Sequence, residues 1–338
     1  MNFIQHLHNT YIRPRRSSRL DKAAPRSKGR ETNWYKYLIC LSFVFLAVAL
    51  YKANYFVLPH IFSFSTLIAS FLVLFMGFIS SAIAWWYLLQ RSHCHVDAVT
   101  CLASVGLSTF SKYIPGKIWT VVGRAAYVAK ESRYPLGMLS IISLNEQFIS
   151  LWVGLSLGTL GLFLLHGVYL WGWLILFVWL GLTAAIFSQP LHGKAERLIT
   201  RVLHKDIKFS GLTITSTMRV MPWFLILWLL WSISFYLLVV SLTVMAMPWS
   251  VGFGFPLVAS LGILALIAPG GLGVREGALV AYLTLVHVPL NEAMTIAVAS
   301  RLWFFIGEVF IFLVGWIADR RCASRLPLER RSRNQPAS

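Results

Sequence analysis

The chain has 338 residues, of which 57% are hydrophobic and only 12% are charged. A soluble domain carries about 25% charged residues and a disordered chain is poor in apolar ones, so the composition excludes both classes. Lys and Arg number 30 against 12 Asp and Glu, a charge of +18. A nucleic-acid-binding protein needs a water-soluble basic face, and the chain has too little polar sequence to cover one. We therefore expect no nucleic-acid partner and an integral membrane protein whose cations lie in its loops.

The first segment, residues 1–33, is polar and basic, and its prolines and glycine discourage helix. It predicts a disordered cytoplasmic arm, and the long apolar run after it lacks a cleavage motif, which favours an uncleaved anchor. Six apolar runs then reach the ~20 residues that a spanning helix needs. They lie near 34–58, 62–90, 136–165, 168–188, 220–247 and 293–318. The membrane domain thus covers 34–319, and residues 320–338 form a basic cytoplasmic tail.

Two further apolar regions are interrupted. The region 96–130 is broken at Pro115-Gly116, and 250–288 is broken at Pro269-Gly270-Gly271. Non-helical backbone at membrane depth is tolerated only where protein or water covers it, so each break implies a cavity. We predict an all-α polytopic membrane protein with about six full spans and two broken re-entrant hairpins. An alternative that stays open is that the second of these regions, 250–288, crosses the membrane fully.

The cations give an orientation. Of the 30 Lys and Arg, 27 lie in the N-terminal arm taken together with Lys36, between 91 and 135, between 189 and 219, or after the last span. With six crossings, all four regions face one side, which the positive-inside rule makes the cytoplasm. We expect a multi-pass protein of the inner (cytoplasmic) membrane with both termini cytoplasmic. The exceptions are Lys52, which can reach the outer interface, and Arg275 and Arg301.

The two breaks are 154 residues apart. A shift of 154 places 62–90 close to the run at 220–247 and 136–165 close to the run at 293–318. Each half then reads span, broken hairpin, span, and the two halves begin on opposite sides of the membrane. This pattern predicts an inverted-topology repeat, in which paired broken segments indicate a substrate site near the membrane midplane.

The first break carries three cations, Lys112, Lys117 and Arg124. A helix N-terminus beside cations is suited to binding an anion, so one interpretation is recognition of a phosphate headgroup. The alternative is a loop whose cations only obey the positive-inside rule.

The second break contains Gly270, Gly271 and Gly273, followed by Arg275 and Glu276. Such a glycine-rich loop can expose several backbone N–H groups that cup an anion, although the spacing is not that of a P-loop. Charges within the apolar half of a chain are costly and usually functional. The alternative is an exposed extracytoplasmic turn.

Three charges lie inside predicted spans: Glu146, Arg301 and Glu308. Arg301 and Glu308 share a helix face two turns apart, and Glu146 is a candidate partner of Arg301 across the repeat. They form either an intramembrane charge network that relays protons or an ion pair that fixes helix packing.

The cysteines and histidines lack metal-site spacing, so we expect no metal and no cofactor. Tryptophans near span ends, Trp85 included, predict an aromatic belt.

The motifs Lys112-Tyr113-Ile114-Pro115-Gly116-Lys117 with Gly123-Arg124, and Pro269 to Gly277, resemble those of the lysylphosphatidylglycerol synthase transmembrane (flippase-like) family, also called UPF0104. Arg301 and Glu308 are similar to its pattern, and the resemblance covers about 34–320. It implies a role in moving or handling polar lipids. Only 20 residues follow the last span, so the family's soluble lysine-transferring domain and its synthase activity are not expected. Gln147 and Ser150 depart from the family pattern, in which a cation and an acid are common at these positions. This difference bears on which lipid the chain handles.

The function expected from these features is that of a lipid flippase or transporter for an anionic or polyprenyl-phosphate-type lipid or glycolipid. The headgroup phosphate would bind at Lys112, Lys117, Arg124, Gly270, Gly271, Gly273, Arg275 and Glu276. The alternative is an accessory subunit with a glycosyltransferase or lipid-modifying partner. A membrane-embedded transferase is less favoured, because no matched acid–base pair occurs. We expect no enzymatic activity.

Overall fold

The computed structural model describes residues 60–114, 118–132, 134–166, 170–187, 214–265 and 273–333. Some predicted features lie outside these residues. They are the basic arm at 1–33, the apolar run at 34–58 with Lys52, the basic stretch from 189 to 213, and the loop residues Lys117, Gly270 and Gly271.

All regular structure in the described stretches is helical, with no strand among them, which confirms the all-α prediction. The first half contains α1 (Phe64–Arg91), α2 (Ala98–Ser108), α3 (Ile118–Glu131), α4 (Leu136–His166) and α5 (Leu170–Phe187). The second half contains α6 (Ile214–Leu242), α7 (Gly254–Leu264), α8 (Val274–Leu285) and α9 (Leu290–Arg333). Short 3-10 helices precede α3 and α7, at Thr109–Tyr113 and Trp249–Phe253.

Four of these helices, α1, α4, α6 and α9, are long and apolar enough to cross a membrane. They match four of the predicted spans, and α5 matches the predicted run at 168–188. The apolar part of α9 ends at Cys322, and the helix continues to Arg333. The prediction of a polytopic membrane protein is therefore confirmed.

The two interrupted regions form pairs of short helices. The helices α2, α3, α7 and α8 have 11, 14, 11 and 12 residues. At ~1.5 Å per residue, none of them alone spans ~30 Å of hydrocarbon. Because α2 packs on α3 and α7 packs on α8, each region is a helical hairpin with short arms. This length favours re-entrant hairpins over full crossings.

The equivalent helices α1 and α6 run antiparallel. Near one end, the Phe62 N–H donates to the Ser241 carbonyl oxygen at 2.9 Å. Near the other end, the rings of Tyr87 and Trp223 lie 5.9 Å apart. Residue numbers thus rise along α1 as they fall along α6. Since a shift of 154 relates these two helices, their opposite directions are those of an inverted repeat.

The helices of the two halves interlock. The helix α2 packs on α9, and its counterpart α7 packs on α4, so one arm of each hairpin lies against the last long helix of the other half. The second arm stays with its own half, α3 on α4 and α8 on α9. As a result, α9 contacts an arm from each broken hairpin. The same face of α9 carries Arg301 and Glu308.

Candidate functional site

The side chain of Arg275 projects from the first turn of α8 over two neighbouring aromatic rings, whose centroids lie 5.2 Å apart. Its guanidinium carbon lies 5.0 Å from the ring centroid of Phe255 in α7 and 4.9 Å from that of Phe304 in α9. Gly262 in α7 makes room for the stem, because a Cβ there would lie 3.1 Å from Arg275 Cγ. Cation–π contacts of this kind stabilise a guanidinium away from water. Both rings and the glycine therefore position this cation.

The neighbouring carboxylate of Glu276 is held at the start of α8. Gly273 has φ +80, in the left-handed region that favours glycine, and its N–H donates to Glu276 Oε2 at 2.7 Å. The other carboxylate oxygen, Oε1, lies 3.9 Å from Nε of Arg301, which is 4% exposed. The Glu276 side chain thus caps the start of α8 and faces a buried cation of α9.

Glu308 lies two turns further along α9 and is 1% exposed. The Lys112 ammonium is 2.5 Å from its Oε1, and the Tyr113 hydroxyl donates to Oε2 at 2.7 Å. The guanidinium carbon of Arg301 lies 5.4 Å from the centroid of the same Tyr113 ring. The residues just before the first break thus contact the buried charges of the last long helix.

Together these residues form a cationic cluster, defined here as Lys112, Arg275, Arg301, Glu276 and Glu308. In their ordinary charge states they carry three positive and two negative charges. Arg275 interacts electrostatically with Arg301, Glu276 and Glu308, so the charges act as one group. Buried charges are normally balanced by partners, and an excess of one cation is suited to binding an anion.

A small cavity lies beside the cluster, lined by Val258, Arg275, Glu276, Leu279, Ser300 and Arg301. Its volume is about 10 Å³, which is room for about one water molecule. Two arginines and one glutamate thus line the same small cavity.

Two other buried charges among the described residues form a separate pair. The guanidinium group of Arg124, on α3, forms a salt bridge to Oε2 of Glu146 on α4 and lies 5.3 Å from the ring centroid of Trp85. Arg124 and Glu146 are 8% and 4% exposed. The proposed pairing of Glu146 with Arg301 is therefore wrong, because the hairpin arms α3 and α8 supply nearer partners to both residues.

Other predictions about individual side chains also change. Lys112 and Arg124 are not free loop cations, since each pairs with a carboxylate of a long helix. Trp85 is 0% exposed and donates to Ser104 Oγ, so it belongs to the core and not to an aromatic belt. Tyr113 was missed, although it adjoins Lys112 in the first motif. Gly262 was missed because a glycine within an apolar run carries no signal of its own.

Among the described residues, no group of three His, Cys, Asp or Glu side chains is placed to hold a metal ion. Between α1 and α2, burial raises the pKa of the Cys94 thiol, which disfavours the thiolate that a metal needs.

A family model described as "Lysylphosphatidylglycerol synthase TM region" matches residues 33–315. The match covers most of the chain, including both broken hairpins and the cationic cluster, and the chain belongs to this family. No curated protein and no solved structure matches the chain.

Proposed function

We propose that this chain, as a member of that family, moves a lipid with an anionic headgroup between the leaflets of the cytoplasmic membrane. The lipid is an anionic phospholipid or a polyprenyl-phosphate-type glycolipid. The cationic cluster binds the phosphate of its headgroup. Both termini face the cytoplasm, as the distribution of cations favours.

The observation that carries this proposal is the excess cation in the cationic cluster, whose partly buried and buried charges come from both hairpins and α9. A charge within the hydrocarbon is costly, and such residues mark substrate pathways in membrane proteins. In transporters with inverted repeats, broken helices at matched positions form the substrate site. Arg275 is the residue best placed for this role, since it lines the cavity and its guanidinium is held over two aromatic rings.

The test is transport by the purified full-length chain in lipid vesicles. Fluorescent phosphatidylglycerol and a fluorescent polyprenyl-phosphate glycolipid are followed as they move between leaflets. Arg275→Gln should slow transport by about tenfold or more, because a hydrogen bond to a charged group contributes ~1.5–3 kcal/mol.

Arg91→Gln is the matched control. The Arg91 guanidinium also lies over an aromatic ring, 4.9 Å from the Tyr87 centroid, but at the end of α1 outside the cluster. Its transport rate should equal that of the unaltered chain. Equal rates for Arg275→Gln and Arg91→Gln would refute the assigned site. A purified chain that accelerates neither lipid would instead favour the accessory-subunit alternative.

A further inference from the structure

The charge balance at the cavity bears on which phosphate headgroups the site accepts. Two cations, Arg275 and Arg301, and one carboxylate, Glu276, line this cavity. The adjacent Lys112 and Glu308 neutralise each other at 2.5 Å. The cavity therefore presents a net charge of about +1, which a single negative charge brings to neutrality.

The carboxylate of Glu276 is a fixed part of this balance. One oxygen accepts the backbone N–H of Gly273 at 2.7 Å, which anchors the side chain to the first turn of α8. A carboxylate held at a helix N-terminus is stabilised there by the helix dipole. An entering anion therefore approaches the two arginines beside a carboxylate that does not swing away.

From this geometry we infer that Glu276 makes the site selective for monoanionic phosphodiester headgroups over dianionic phosphomonoesters. The inference rests on the proposed function and narrows its substrate class. A phosphodiester carries one negative charge, whereas a phosphomonoester carries about 1.5 to 2 at neutral pH. The second charge of a monoester would remain unbalanced in a low-dielectric space and would face the Glu276 carboxylate.

This selectivity distinguishes two classes of lipid that the sequence does not distinguish. Diacyl phospholipids such as phosphatidylglycerol, and polyprenyl lipids whose phosphate bridges to a sugar, are phosphodiesters. Free polyprenyl phosphates and phosphatidic acid are phosphomonoesters and would be poor substrates. The cavity is smaller than a phosphate group, so it must widen for either kind of headgroup to bind.

The experiment compares two lipids that differ by one methyl group. Vesicles containing the full-length chain receive fluorescent phosphatidylmethanol, a phosphodiester, or phosphatidic acid with the same acyl chains, a phosphomonoester. At pH 8 the monoester is mostly dianionic, since its second pKa is about 6. The unaltered chain should move the diester on the order of tenfold faster.

Substitution of the carboxylate tests its role. Glu276→Gln should bring the ratio of the two rates close to one, and Glu276→Asp, which keeps the charge, should retain the preference for the diester. Glu292→Gln, in the first turn of α9 and outside the cavity lining, is the control and should leave the ratio unchanged.

The outcomes distinguish this inference from the function on which it rests. Equal rates for the two lipids with the unaltered chain would overturn the selectivity while leaving transport intact, even if no variant folded. An unchanged ratio in Glu276→Gln would overturn the role of Glu276. Rates no faster than in protein-free vesicles for both lipids would overturn the proposed function together with the inference.

Discussion

The two broken hairpins share a fold but differ in how their charged side chains are paired. In the first half, Arg124 and Glu146 form a closed, neutral pair. A shift of 154 residues places Ala278 and Ser300 at the corresponding positions, so the second half has no such pair. Its charges instead join Lys112 in a cluster with one excess cation. The apolar packing follows the repeat, whereas the charges depart from it.

This difference teaches which buried charges to treat as structural. A balanced pair needs nothing from outside the protein, and its removal should matter mainly to stability. An unbalanced cluster is costly to keep, and proteins retain such costs where they serve a function. The following expectations test that division.

The largest effect should come from the closed pair. Glu146→Ala leaves the Arg124 cation buried without its carboxylate, which we expect to lower the free energy of unfolding by about 3–5 kcal/mol. The double change Arg124→Met with Glu146→Met should recover most of this loss, because it removes both charges. Steric trapping in bicelles measures the unfolding free energies. A double variant no more stable than Glu146→Ala would show that the pair does more than neutralise charge.

A smaller effect should come from the interlocked packing of the halves. A Cβ at Gly106 in α2 would lie 2.4 Å from the Ile311 backbone oxygen and 2.7 Å from Gly315 Cα. Because backbone atoms cannot move aside, Gly106→Ala should force α2 and α9 apart and cost about 1–3 kcal/mol.

The counterpart of Gly106 offers the matched comparison. The position 154 residues later is Ser260 in α7, whose buried hydroxyl has no hydrogen-bond partner among the described residues. Ser260→Ala should change the unfolding free energy by less than about 0.5 kcal/mol or raise it slightly, since it removes an unsatisfied polar atom. The same assay measures the unfolding free energies of Gly106→Ala and Ser260→Ala. Equal losses of stability in the two variants would contradict the packing argument.

Much of the fold was predictable because membrane spans leave a simple signal. Runs of ~20 apolar residues locate α1, α4, α6 and α9, and the spacing of the two Pro-Gly breaks predicts the repeat. These properties depend on the length and order of segments, which the sequence states directly.

The pairing of charges was not predictable in the same way. Lys112 and Arg124 satisfied the positive-inside rule, so their charges had a sufficient explanation without any partner. Whether Glu146 meets Arg301 or Arg124 depends on which arm packs on which long helix. That choice is made by the shapes of apolar surfaces around α4 and α9, which a single sequence does not reveal.

A small effect on stability should accompany the largest effect on transport. Arg275→Gln removes cation–π contacts with Phe255 and Phe304, which contribute roughly 1–2 kcal/mol, but it also relieves repulsion between Arg275 and Arg301. These terms oppose each other, so the unfolding free energy should change by less than about 1 kcal/mol. Arg124→Gln, measured beside it, should cost several times more, because Glu146 is left buried without its cation. If instead Arg275→Gln proved the more damaging change, the cluster would be a structural unit like the closed pair, and the division between the two hairpins would fail.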